Sequence, residues 1–130
     1  MYLLLEPKTL KFILKIALKK LEKLNFDSIA YTGTSGALFA IPLALRLRKN
    51  LVVVRKPKEQ SHGNTIECLN SCERCLVVDD FVDTGATIKR LIDVLTKQQI
   101  KIAAILLYNP DYEYKSKTTK TFSGIKIIRC

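Results

Sequence analysis

A chain of 130 residues with 48% hydrophobic side chains can bury the core of one domain, spanning residues 1–130, and leaves no length for a second. Its 22 Lys and Arg against 12 acids give a net charge of +10, which attracts an anionic substrate or polyanionic partner but is also an ordinary solubility device. Lysines break every apolar stretch well before the roughly 20 residues of a membrane span, and Leu3 to Leu5 meet Glu6 and Pro7 with no basic region ahead. Neither a spanning helix nor a signal peptide is therefore expected, and the cytoplasm is the default location.

Leu10, Ile13, Leu14, Ala17, Leu18, Leu21 and Leu24 trace one face of a first helix, which ends by Asn25. Lys11, Lys15, Lys19 and Lys23 form a basic stripe on it, which reads as the solvated face of a helix docked on a sheet more readily than as a nucleic-acid surface. Residues 28–31 follow as a strand. Thr32, Gly33, Thr34, Ser35 and Gly36 form a small-residue turn whose amides suit an anion, and residues 37–48 form an apolar helix. Residues 51–54 make a second strand, with Arg55, Lys56 and Lys58 at its carboxyl end before a polar stretch running to His62 and Gly63. A cationic loop there could close over an anion and exclude water. A short antiparallel segment is expected near residues 65–69. Cys68, Cys72 and Cys75 lie close in sequence, but zinc would need a fourth ligand that Cys130 or His62 could supply only by tertiary accident. Free, partly buried thiols are the expectation.

Residues 75–87, CLVVDDFVDTGAT, are the most specific stretch. Leu76, Val77 and Val78 read as a strand buried on both faces, so Asp79 and Asp80 should emerge at its carboxyl end into a crevice, with Asp83 close behind. Thr84, Gly85, Ala86 and Thr87 then precede Ile88, Leu91, Ile92 and Leu95, one face of a helix whose start can hold a second anion. Carboxylates beside a phosphate-type turn suit a phosphorylated sugar, and two anion turns suit two phosphate groups. Asp-Thr-Gly at positions 83–85 is also the aspartic-protease triplet. Those enzymes are all-β, whereas helical spacing follows Gly85 here. A further strand over residues 102–108, a turn at Asn109, Pro110 and Asp111, a polar tract through Thr121 and a last strand over 125–129 complete an α/β chain. The economical fold is a Rossmann-like, mainly parallel sheet flanked by helices.

Two acids, an apolar pair and acid-Thr-Gly-x-Thr after a hydrophobic strand resemble the 5-phosphoribosyl diphosphate (PRPP) motif of the type I phosphoribosyltransferases. The resemblance implies that Asp79 and Asp80 bind the ribose hydroxyls and that Asp83, Thr84, Gly85, Ala86 and Thr87 bind the 5-phosphate, Asp83 also serving as proton acceptor for the base. The first turn is similar to the adenine type, which implies diphosphate binding by Thr34, Ser35 and Gly36, although Ser35 stands where Arg or Lys is usual. Arg55, Lys56, Lys58, His62 and Gly63 resemble the catalytic loop of the orotate type, with one extra residue between Lys58 and His62. That likeness implies diphosphate contacts from Arg55 and Lys56 and catalytic roles for Lys56, Lys58 and His62.

The resemblance further implies transfer of phosphoribosyl from PRPP to a nucleobase with release of diphosphate. Mg2+ would be bound mainly through PRPP oxygens, with Asp79 and Asp80 as candidate protein ligands, and the protein would be a homodimer. The base is expected near Phe81 or the turn at residues 108–111. Little chain remains for the family's hood, which the first residues, residues 112–122 or a neighbouring subunit would have to supply. The competing reading is a PRPP-binding regulator without turnover that binds RNA or DNA; the missing hood, Ser35 and the positive charge all permit it.

Overall fold

The computed structural model describes residues 5–58, 65–69, 72–108 and 119–130. Helix α1 (Pro7–Leu21) starts with proline at its first position, where the missing N–H costs nothing, and buries Leu14, Ala17 and Leu21. Strand β1 (Ser28–Tyr31) leads into α2 (Gly33–Leu47), and β2 (Asn50–Val54) follows. Strands β3 (Ile66–Glu67) and β4 (Arg74–Asp79) precede α3 (Ala86–Lys97). Strands β5 (Lys101–Leu107), β6 (Thr121–Phe122) and β7 (Ile125–Arg129) complete the chain.

The seven strands form one sheet in the order β3-β2-β1-β4-β5-β7-β6. β2, β1, β4, β5 and β7 run parallel, while β3 and β6 pair antiparallel at the two edges. The fold class read from the sequence is thus the one observed. The antiparallel segment near residue 66 is present, and the β6–β7 hairpin is an addition. Its turn, Ser123 and Gly124, has φ of 50° and 78°, the double positive φ of the tight hairpin turn that matches strand twist.

The middle stretches of the central strands are apolar because helices cover both faces. Leu76 and Val78 of β4, with Leu106 of β5, pack against Leu14 and Ala17 of α1 and Phe39 and Leu43 of α2. The alternate residues Cys75, Val77, Ile105 and Leu107 pack against Ile88, Leu91 and Leu95 of α3. Helix α2 begins at Gly33, four residues earlier than the sequence reading placed it, so the small-residue turn is itself the first helical turn. At the other end of the strands, Asp27 ties β1 to β4: its carboxylate accepts from the backbone N–H of Glu73 (3.0 Å) and Arg74 (3.1 Å), and Arg74 Nε donates to the Asn25 carbonyl (2.8 Å).

Leu91 is fully buried between α3 and the sheet. Leu91→Ala should therefore cost about 2–5 kcal/mol, read as a lowered denaturant midpoint with an unchanged slope.

Candidate functional site

The sheet order has one reversal that matters. β1 and β4 are parallel neighbours, yet the chain leaves β1 for α2 on one face and leaves β4 for α3 on the other. The connections part at the carboxyl ends of these two strands and open a crevice, the usual ligand position in sheets of this kind.

Asp79 is the last residue of β4. It does not emerge fully from the core: it is 5% exposed, and its Oδ1 accepts from the backbone N–H of Asp80 at 2.9 Å. Asp80 is half-buried and accepts in the same way from Phe81 N–H, also at 2.9 Å. Burial, then the adjacent charge of Asp80, push the Asp79 carboxyl up to about 7, while Lys56 opposes the shift. A carboxylate held so against its preference is eased by incoming hydroxyl donors or by a cation.

The turn after the acids exposes Asp83, Thr84, Ala86 and Thr87 and buries Gly85. Gly85 has φ of 86°, and a Cβ there would lie 2.9 Å from the ring of Phe122, so the turn is backed by the β6 aromatic and admits only glycine. Thr84 Oγ1 accepts from Ala86 N–H at 3.3 Å. The first-turn amides of α3 that follow have no acceptor within the helix and form its positive end.

The opposite wall is the start of α2. Gly33 has φ of 67°, and a Cβ on it would meet Lys56 Cε at 2.9 Å and Nζ at 3.0 Å. Lys56 therefore rests on the first turn and brings a cation to the loop where Ser35 supplies none. The hydroxyl of Tyr108 donates to the Ser35 carbonyl at 2.5 Å, and its ring stacks on Phe39 with centroids 5.0 Å apart. Tyr108 is 2% exposed, which removes it as a stacking surface for a base and makes it a support for the loop; Asn109, Pro110 and Asp111 lie outside the described residues. Phe81 is half-buried beside the acids.

A cleft of about 420 Å³ lined by Thr32, Lys56, Pro57, Lys58, Thr87 and Arg90 joins the cationic segment to both turns. Thr32 is 4% exposed, and its Oγ1 is buried without a hydrogen-bond partner among the described residues. A hydroxyl left so beside cations suits an anionic oxygen. Arg55 engages Glu67: Nε and Nη2 reach Oε1 at 3.0 and 2.5 Å. His62 and Gly63 lie outside the described residues.

Arg90 was not singled out in the sequence; Thr32 was read as part of the turn but not as a buried hydroxyl, and Tyr108 as a neighbour of the base and not as a support for the loop. Arg90 follows Thr87 by three, which puts both on one face at the start of α3, and that spacing was the available signal. The buried Thr32 hydroxyl and the Tyr108 bond to Ser35 depend on tertiary packing. Cys68, Cys72, Cys75 and Cys130 are unpaired, and the described residues contain no group of three His, Cys, Asp or Glu placed to hold a metal. Burial pushes the Cys75 thiol up to about 12.

The raised Asp79 carboxyl links stability to pH. Below about pH 4 both folded and unfolded forms are protonated; as pH rises towards 7 the unfolded chain ionises first, so folding loses stability across that window. Asp79→Asn removes the loss. Its melting temperature should exceed that of the unsubstituted protein by several degrees at pH 8, and the two should converge below pH 4.

Comparison with known proteins places this geometry. A model of the phosphoribosyl transferase domain matches residues 5–128. An orotate phosphoribosyltransferase of Thermococcus kodakarensis is 33% identical over 106 residues, covering 78% of this chain and 57% of that protein. An adenine phosphoribosyltransferase of Ureaplasma parvum is 33% identical over 122 residues, covering 82% and 70% respectively. Among solved structures, adenine phosphoribosyltransferase from Thermoanaerobacter pseudethanolicus superposes with a TM-score of 0.77 at 26% identity, over 98% of this chain and 82% of that one. Orotate phosphoribosyltransferase from Aeropyrum pernix superposes with a TM-score of 0.70 at 25% identity, over 98% and 73%. The chain thus spans under two thirds of the Thermococcus relative but carries the crevice, the acid pair and both glycine turns along a match of nearly its whole length, and it belongs to the phosphoribosyl transferase domain family.

Proposed function

We propose that the protein transfers the 5-phosphoribosyl group from PRPP to a ring nitrogen of a nucleobase and releases diphosphate. The observation that carries this reading is the position of buried Asp79 and half-buried Asp80 between two glycine-containing turns that open helices α2 and α3, at the switch point of the sheet. Asp79 and Asp80 would accept hydrogen bonds from the ribose hydroxyls. Asp83, Thr84, Gly85, Ala86 and Thr87, with the open end of α3, would hold the 5-phosphate. Thr34, Ser35 and Gly36 would bind diphosphate through the start of α2, with Lys56 beside them and the orphaned Thr32 hydroxyl as a further donor.

In the reaction the bond from ribose C1 to the diphosphate oxygen breaks as the bond from C1 to the base nitrogen forms. Positive charge develops on the sugar and negative charge on the leaving group. Asp79 and Asp80 oppose the first, and Lys56, Lys58 and His62 the second. The proton lost by the base passes to Asp83, which is exposed at the turn and able to receive it. Phe81 offers a flat surface for the base. The acid pair fits a magnesium ion, since a desolvated carboxylate pushed up to about 7 beside a second acid is relieved by a divalent charge. Asp79 and Asp80 would hold magnesium together with PRPP oxygens, and the ion would neutralise the leaving diphosphate.

A cytoplasmic homodimer accompanies this reading. No described helix is long and apolar enough to cross a membrane, and the cysteines are free thiols. Phe12 of α1 and Ile41 and Leu45 of α2 expose apolar surface that a second subunit could cover. Nothing among the described residues or the relatives supports the alternative of a regulator that binds RNA or DNA.

Incubation with PRPP, magnesium and a pool of nucleobases, followed by mass spectrometry, should reveal a nucleotide whose mass names the base. Asp79→Asn combined with Asp80→Asn should abolish both product and PRPP binding by calorimetry. Undiminished PRPP affinity in the double variant would remove the acids from the site.

A further inference from the structure

The resemblance to orotate-type loops makes Arg55 a diphosphate contact, but the geometry points to a different role. We infer that Arg55 is a positioning residue that ties the carboxyl end of β2 to β3 and so holds extended the backbone delivering Lys56 to the ligand. The inference rests on the reading of Lys56 as a diphosphate-binding residue.

Arg55 is held from two sides, by the β3 segment and by α3. Its backbone N–H donates to the Thr65 carbonyl at 2.8 Å and so extends the antiparallel ladder in which Val54 faces Ile66 and Val53 faces Glu67. Its carbonyl accepts from Arg90 Nη2 on α3. Its guanidinium grips Glu67 Oε1 on β3. Arg55 and Glu67 are therefore diagonal neighbours across the ladder, a spacing that long side chains can bridge.

Strand alternation gives these bonds their consequence. Val52 and Val54 pack on the α3 face of the sheet, so the next residue on that side is Lys56, and Arg55 falls on the other. Lys56 accordingly lines the cleft with Thr87 and Arg90 and lies against Gly33, while Arg55 lies against Glu67. The pairing of β2 with β1 ends at Val53, so beyond that point β3 alone supports the extended course that carries Lys56. β3 contributes only Ile66 and Glu67 to the ladder, so its backbone bonds hold that course weakly. The ion pair between Arg55 and Glu67 adds a side-chain tie at this end.

The test is a charge exchange. Glu67→Gln, which alters no ligand-contacting group, should weaken PRPP binding by about three- to fivefold, the scale of a partly exposed ion pair. Arg55→Glu should weaken it at least as much. The double exchange of Arg55→Glu with Glu67→Arg should return the affinity to within about twofold of the unsubstituted protein. Amide exchange at residue 55 should quicken in both single variants and slow again in the double one. A double variant as weak as Arg55→Glu alone would make Arg55 a direct ligand contact and overturn the inference. Glu67→Gln with unaltered amide exchange would overturn it too. If the unsubstituted protein does not bind PRPP, the proposed function fails on that measurement, and the amide arm still decides whether the pair holds the end of β2 to β3.

Discussion

The burial of β4 on both faces is the constraint from which the site follows. A strand packed between α1 and α2 on one side and α3 on the other must be apolar along its length, and it can change to polar chemistry only where the cover of the helices ends. Asp79 stands at that boundary, still 5% exposed, with its carboxyl pushed up to about 7 by burial and by Asp80. The hydrophobic packing that stabilises the sheet thus also raises the energy of the carboxylate charge. A ligand bringing hydroxyls or a cation would recover some of that energy.

The two walls of the crevice are built by different means. The β4 wall is local: acids, turn and helix start follow one another within residues 79–87, and Gly85 is held by its own φ and by Phe122 behind it. The β1 wall is assembled from distant parts. Gly33 begins α2, Lys56 arrives from β2, and Tyr108 reaches from the end of β5 to the Ser35 carbonyl. This difference sets what was legible in the sequence. The β4 wall could be read because strand, acids, glycine and amphipathic helix are contiguous. The replacement of a loop cation by Lys56, the burial of Tyr108 and the orphaned Thr32 hydroxyl could not, because each depends on which strands are neighbours.

The boundaries missed in the sequence have similar causes. Thr34 and Ser35 have weak helix propensity and suggested a turn, but the packing of Gly36, Phe39 and Ala40 against the sheet draws residues 33–36 into α2. The β6–β7 hairpin was hidden by a polar tract, although Ser123-Gly124 is a turn dipeptide, and only a seventh strand to pair with makes Thr121 and Phe122 extended. The mainly parallel order, by contrast, was carried by the alternation of apolar runs with helical periodicity.

The Asp27 hub at the far end of the strands has a consequence for how such a protein can change. Its carboxylate closes the β1–β4 pair through backbone amides, which every residue type except proline provides, so these bonds are insensitive to the identity of residues 73 and 74, and only the Arg74 bond to the Asn25 carbonyl depends on a side chain. The ligand end depends instead on particular side chains carried in loops. Mutational drift at residue 73 and change among the side chains of the crevice therefore act on separate ends of the same strands. The architecture permits specificity to diverge among descendants without renegotiating the pairing that holds the sheet together.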